Sequence, residues 1–246
     1  MSRLDDFDMD TYRALLKHLG CKYNITNMWE YDEVECPYLV LRHDIDFCLK
    51  AAEHMAYVES RLGIRSSYLV SFSSPWYNPL EFGNIELIQS ISDYGHDVGV
   101  HYDPIAVGTL GEGFLKDQIK ILDKIIDDGV WSISPHNPSI TDDPLNDLDG
   151  NAYRIARDEN MLYVSDSCML WDPFDADLML NWASQRVMLL VHPEFWVYEG
   201  DFFDEIVSEK TYDLDIESYL AESRWRKSYK ADKSYQNPVC LEMLVF

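Results

Sequence analysis

Tyr38-Leu39-Val40-Leu41-Arg42-His43-Asp44-Ile45-Asp46 opens as an apolar run and closes on a group of ionisable side chains. This short apolar run predicts a strand over Tyr38–Arg42, with His43, Asp44 and Asp46 just beyond its end. Similar runs follow at Ser66–Phe72, Asp97–His101, Trp131–Ser134, Leu162–Val164 and Val187–Val191. Their starts are separated by about 30 residues, the length of one strand-helix-strand unit.

Helical patterns fill the gaps. Phe47–Leu62 closes on Gly63, and Asn84–Tyr94 closes on Gly95. Phe114–Ile126 places Leu115, Ile119, Leu122 and Ile126 on one stripe. A further helix, Asp10–Leu19, precedes the first strand and ends at Gly20. Alternating strands and helices predict an α/β fold, a parallel sheet covered by helices and either open or closed into a barrel. No linker or low-complexity tract divides the 246 residues, so they read as a single domain, 1–246, with its core at 38–196. Residues 200–246 read as an extension, with helices expected at Asp201–Val207 and Asp215–Tyr229 and an apolar close at Val239–Phe246.

Composition removes several classes of function. With 47% apolar and 13% aromatic residues the chain is neither disordered nor fibrous. Twenty basic against 44 acidic residues give a net charge of −24, which argues against nucleic acid and anionic membranes as partners. The one basic run, Arg224 to Lys233, reads as a solvated helix face. No stretch approaches the roughly 18 apolar residues of a membrane helix. The opening MSRLDDFDMD does not resemble a signal peptide, and five cysteines without C-x-x-C spacing read as reduced thiols, so a cytoplasmic protein is expected.

In folds of this class, ligands bind beyond the C-terminal ends of the strands. There this chain places His43-Asp44-Ile45-Asp46, His101-Tyr102-Asp103, Pro135-His136-Asn137-Pro138, Asp166-Ser167 and His192-Pro193-Glu194. Four of its seven histidines (His43, His101, His136, His192) thus occupy expected strand ends. In extended backbone Asp44 and Asp46 point the same way, and two such carboxylates repel unless a cation or a shared proton intervenes. Asp46 can equally be the N-cap of the next helix. His101 is either a metal ligand or a hydrogen-bonded core histidine, and His136, stiffened by two prolines, either contacts a ligand or braces its loop. His192 fits a general acid or base. His96, at the opposite end of its strand, reads as structural. The chain lacks a dinucleotide fingerprint, a P-loop and a nucleophile elbow. Gly108–Gly113 reads as a loop and helix start.

Five segments in this order resemble the NodB-homology polysaccharide deacetylases (carbohydrate esterase family 4 and relatives), and within them the branch with an R-H-D-V-D first motif found among WbmS-like proteins of O-antigen clusters. They are Leu41–Asp46, Gly95–His101, Ser134–Pro138, Tyr163–Ser167 and Leu189–Trp196. The resemblance implies a distorted (β/α)7 barrel. It implies a metal-dependent hydrolase that removes an N-acyl group, expected to be acetyl, from an amino sugar or nucleotide-sugar-type precursor in surface-polysaccharide biosynthesis. By that resemblance Asp44 is the base, Asp46 a metal carboxylate (the inserted Ile45 leaves the two interchangeable), His101 a metal histidine, His192 the general acid and Asp166 its orienting acid.

The family's second metal histidine falls four residues after the first, where this chain has Ile105. His136 is the substitute expected here, with zinc as the first choice of divalent metal and nickel, cobalt or manganese as alternatives; weak or absent binding is the other outcome. The arginine that supports the family's base has no counterpart near Pro135, which leaves Arg42 or His136. Arg42, Asn137 and the aromatic Trp76, Tyr77 and Trp196 are expected to touch substrate. Two other readings stay open: a metal-free C–N hydrolase of the same fold, and a silent sugar-binding or assembly protein. Self-association also stays open.

Overall fold

The computed structural model describes residues 7–127, 129–136 and 150–198, without the side chain of Cys168. The expected C-terminal helices, the basic run at Arg224–Lys233, the apolar close and Asn137 lie outside the described residues, as does the part of the expected single domain beyond residue 198.

Among the described residues, seven strands form one sheet, every ladder of which is parallel. They are β1 (Asn24–Thr26), β2 (Tyr38–Ile45), β3 (Ser67–Ser71), β4 (Asp97–Tyr102), β5 (Ile133–Pro135), β6 (Leu162–Ser165) and β7 (Arg186–Val191). The order is β5-β4-β3-β2-β7-β6, with β1 paired to the first half of β2. The helices are α1 (Met9–Leu19), α2 (Leu49–Arg61), α3 (Phe82–Asp93), α4 (Pro104–Leu110), α5 (Glu112–Leu122), α6 (Ala152–Ala156), α7 (Pro173–Leu180) and α8 (Pro193–Val197). No described helix is long and apolar enough to cross a membrane.

The fold is α/β, a parallel sheet curled into a half-barrel and wrapped by helices. The curl can be measured. β5 and β7 stand four places apart, which on a flat sheet separates them by about 19 Å. Yet Asp46, just after β2, lies 3.6 Å from His136 after β5 and 3.7 Å from His192 after β7. No ladder joins β5 to β6 among the described residues.

The central strand corrects the sequence reading. β2 continues through Ile45, three residues beyond the expected Arg42, because β3 pairs with Arg42–Ile45 as a parallel neighbour. His43 is therefore inside the strand. Its side chain faces away from Arg42 and Asp44, as alternate positions must, and its Nε2 lies 2.9 Å from Glu59 Oε1 on α2. At the N-terminal end, β5 starts at Ile133, and Trp131 is half exposed. Gly108 lies inside α4, so the glycine-rich stretch is largely helical.

Inside the curl, Met28, Tyr38, Val40, Leu69, Ala152, Ile155 and Met188 form an apolar plug. Above it, along β2, the same face turns ionic with Arg42 and Asp44. Gly99 on β4 makes this close packing feasible: a Cβ there would meet the Ser132 carbonyl oxygen at 2.1 Å and Leu69 Cδ2 at 2.6 Å.

Candidate metal and hydrolytic site

Alternation along β2 puts Arg42 and Asp44 on the concave face, and Asp46 follows them where the strand ends. Arg42 Nε donates to Asp44 Oδ1 at 2.8 Å and its Nη2 to Oδ2 at 2.5 Å. Nη2 also donates to Ser134 Oγ on β5. This paired geometry is one only a guanidinium can provide. Burial pushes the Asp44 carboxyl up, but Arg42 and His101 outweigh it and hold the pKa below the usual carboxylate range. Arg42 itself is almost fully buried. The structure thus spends Arg42 on Asp44 rather than on an open surface that a substrate could reach.

Asp46 is not a helix cap. The N-cap of α2 is Cys48, and no side chain caps that helix. Asp46 Oδ1 instead lies 3.4 Å from His101 Nε2 and 3.6 Å from His136 Nδ1. The two ring nitrogens are 3.0 Å apart. His101 Nε2 is also 3.7 Å from Asp44 Oδ2. Burial alone would raise the Asp46 pKa; the two imidazoles reverse that and hold it well below the usual range. His136 is raised, because Asp46 overrides its burial.

These three donors suit a small divalent cation. Donors about 2.0–2.1 Å from a tetrahedral ion lie about 3.3 Å from one another. The separations of 3.0, 3.4 and 3.6 Å bracket that value. Among the described residues, this is the one group of three or more His, Cys, Asp or Glu within ligating range. Ile105, where the resemblance would place a second metal histidine, is in the first turn of α4 and 43% exposed. The described third donor comes from the end of β5.

On the other side of Asp46, His192 Nε2 approaches Oδ2 at 3.7 Å. Its Nδ1 is 2.6 Å from Asp166 Oδ1. Asp166 is fully buried. It also accepts from the His192 backbone N–H at 3.0 Å and from Trp196 Nε1 at 2.8 Å, so its position is fixed from three directions. Burial disfavours the His192 imidazolium, but Asp166 more than compensates and lifts the pKa to about 10.

The aromatic residues expected at the substrate divide. Trp196 is fully buried against Asp166, Tyr12 and Phe7, which leaves it no free face for a sugar. Tyr77 is buried too; its hydroxyl donates to the Ile45 carbonyl at 2.7 Å and accepts from Ser71 N–H at 2.9 Å. Both support the scaffold. Trp76 is only part-buried and packs on Phe47, beside Asp46, with ring centroids 5.5 Å apart.

Two groups escaped the sequence reading. Ser134 was covered by its motif but had no role; it joins Arg42 across the curl. Glu194 is fully buried on α8, and neither carboxylate oxygen has a hydrogen-bond partner among the other described residues. Burial pushes its pKa well up, and Asp46 adds to the shift against the opposing pull of His192. The only signal for it in the sequence was its place two residues after His192.

Neither a family model nor a curated protein matches the chain. Among solved structures the chain is similar to the peptidoglycan deacetylase PdaC of Bacillus subtilis, with 17% identity over 70% of this chain and 81% of that one and a TM-score of 0.45. It is also similar to the chitin deacetylase of the fungal pathogen Colletotrichum lindemuthianum, with 15% identity over 73% and 84% and a TM-score of 0.43. A third is a CE4 family pseudoenzyme of Bacillus anthracis, with 13% identity over 70% and 58% and a TM-score of 0.43. The chain spans about three fifths of the length of that last protein (58%).

Proposed function

We propose that this protein is a metal-dependent amide hydrolase that removes an N-acyl group, acetyl first, from an amino sugar. The observation that carries the reading is the meeting of one carboxylate and two imidazoles, Asp46, His101 and His136, flanked by a clamped carboxylate on one side and a charged imidazole on the other. The five motif segments that resemble the NodB-homology deacetylases contribute all of these groups.

Asp46, His101 and His136 would hold the cation, with zinc as first choice for a set of two nitrogens and one oxygen. When bound, it supplies positive charge that acidifies water and polarises an acyl carbonyl. Asp44 is the base: it is kept ionised by Arg42 and accepts the proton that water gives up. His192, held protonated by Asp166, passes its proton to the departing amine, which is otherwise a poor leaving group. Asp166 and Arg42 are positioning residues, since each acts through its partner. A surface-polysaccharide role belongs to this reading through the resemblance alone, and a cytoplasmic setting through the five cysteines without C-x-x-C spacing.

The test is metal content followed by turnover. The purified full chain is expected to retain about one zinc per chain. His136→Ala should lower that content severalfold, and a chelator should abolish acetate release from N-acetylated sugars, with recovery on adding zinc. Ile105 favours a rival, a metal-free C–N hydrolase of the same scaffold. Acetate release that the chelator leaves unchanged would establish that rival, and zinc-loaded protein that binds such sugars without releasing acetate would overturn the hydrolase altogether.

A further inference from the structure

Asp46 stands where β2 has already left the sheet. The ladder with β3 ends at the pair Ile45 and Val70, and the ladder with β7 ends at His43 and Val191. Among the described residues, no strand pairing therefore includes Asp46. Its carboxylate nevertheless lies between His101, His136 and His192. A backbone left free at this point would have to be ordered each time the carboxylate is used, at an entropic cost.

The connection 72–81, between β3 and α3, supplies what the ladders lack. Tyr77 Oη donates to the Ile45 carbonyl at 2.7 Å and accepts from Ser71 N–H at 2.9 Å, which ties the ends of β2 and β3 together. Ser74 Oγ donates to the Asp46 carbonyl at 2.8 Å and accepts from Trp76 N–H at 3.1 Å. The two carbonyls belong to the peptide units on either side of the Asp46 Cα. Each unit is planar, so the freedom between them is one φ and one ψ. Holding both units sets those two angles, and with them the direction in which the Asp46 side chain leaves the backbone.

The connection is itself tied down. Ser71 Oγ accepts from Ser73 N–H at 3.3 Å, and Tyr77 is buried. Trp76 packs on Phe47. Three consecutive residues after the paired part of β2, or at its end, are thus each met by this one connection: Ile45 by Tyr77, Asp46 by Ser74 and Phe47 by Trp76.

We infer that Tyr77 and Ser74 are positioning residues that aim the Asp46 carboxylate at the cation site, acting through the two peptide units and touching neither metal nor substrate. This rests on the metal site of the hydrolase reading and adds two residues on which that site depends.

The full chain, stripped of metal, is titrated with zinc against a chromophoric chelator, and separately with cobalt, whose visible absorption reports ligand geometry. Tyr77→Phe keeps the ring and removes its oxygen; Ser74→Ala removes the other hydroxyl. Each is expected to bind zinc about tenfold more weakly than the parent, the lower end of the range for groups that orient a metal ligand, and to alter the cobalt spectrum. Tyr68→Phe is the control. Its hydroxyl is also buried but donates to Glu59 at 3.0 Å on the opposite face of the sheet. It should lower the melting temperature and leave zinc affinity within twofold of the parent. Zinc affinity within twofold of the parent in either folded site variant overturns the inference and leaves the metal site standing. A tenfold loss in Tyr68→Phe overturns it too, by tracing the effect to general destabilisation. If Tyr77→Phe does not fold, Ser74→Ala decides by the same limits. A parent that takes up no zinc overturns the metal reading itself, and the inference with it.

Discussion

Asp44 and Glu194 are both buried carboxyls near one site, yet their surroundings drive them in opposite directions. Asp44 has Arg42 in a two-point clamp, so it stays an anion. Glu194 has no hydrogen-bond partner among the other described residues, and burial pushes its pKa well up. Two substitutions separate these states. Asp44→Asn should lower kcat at least a hundredfold, in line with the loss of a general base, with zinc content still near one per chain; a variant of normal rate would remove Asp44 from the chemistry. Glu194→Gln copies the shape of a neutral acid. Its melting temperature should stay within about 3 °C of the parent, about 1 kcal/mol for a chain of this size. A much larger loss would mean that Glu194 is folded as a carboxylate.

At the scale of elements, the site depends on how closely β4 and β5 approach. Gly99 leaves room for the Ser132 carbonyl, and Ser134 and His136 follow on the same strand and its exit. Gly99→Ala drives a methyl group into backbone, which cannot swing aside as a side chain can. Overpacking of this kind costs about 1–3 kcal/mol. Thermal unfolding should drop by about 5 °C, and zinc affinity should fall with it because His136 moves. An unchanged melting curve would show that the two strands can separate freely.

For the whole molecule, the opposite face of the sheet governs acid stability. Glu59 on α2 is fully buried among His43, His96, Tyr12, Tyr68 and Ser66. Burial raises its pKa, but His43 and His96 reverse this and bring it from 4.5 to about 2. A carboxyl depressed in the fold contributes stability above its unfolded pKa and loses it as the pH falls towards the folded value. That window runs here from about pH 4.5 down to about 2 and is worth about 3 kcal/mol. His96 acts in the same sense: burial lowers its pKa below 6.5, so the fold prefers the neutral ring and loses stability as the pH drops below that value. Glu59→Gln should therefore melt well below the parent at pH 7, with the gap narrowing below pH 4.5 and closing only towards pH 2. A gap independent of pH would mean that Glu59 does not titrate as a buried anion.

The strand and helix order of this fold is legible along the chain, because apolar runs and 3.6-residue stripes are local patterns set by which faces must leave water. So is the clustering of acids and histidines at strand ends, since a parallel sheet must deliver all its C-terminal ends to one side. The length of β2 was not legible: whether Arg42–Ile45 remains strand depends on β3, more than 20 residues later, being there to pair with it. Nor was the side to which His43 points, which follows from that extension. The roles of Arg42, Tyr77 and Trp196 were likewise undecided, because a side chain that looks free for substrate in one dimension is claimed by a neighbour in three. Local chemistry chose the residues, and the curl of the sheet, which brings β5 and β7 to within a side chain's length of Asp46, decided which of them meet.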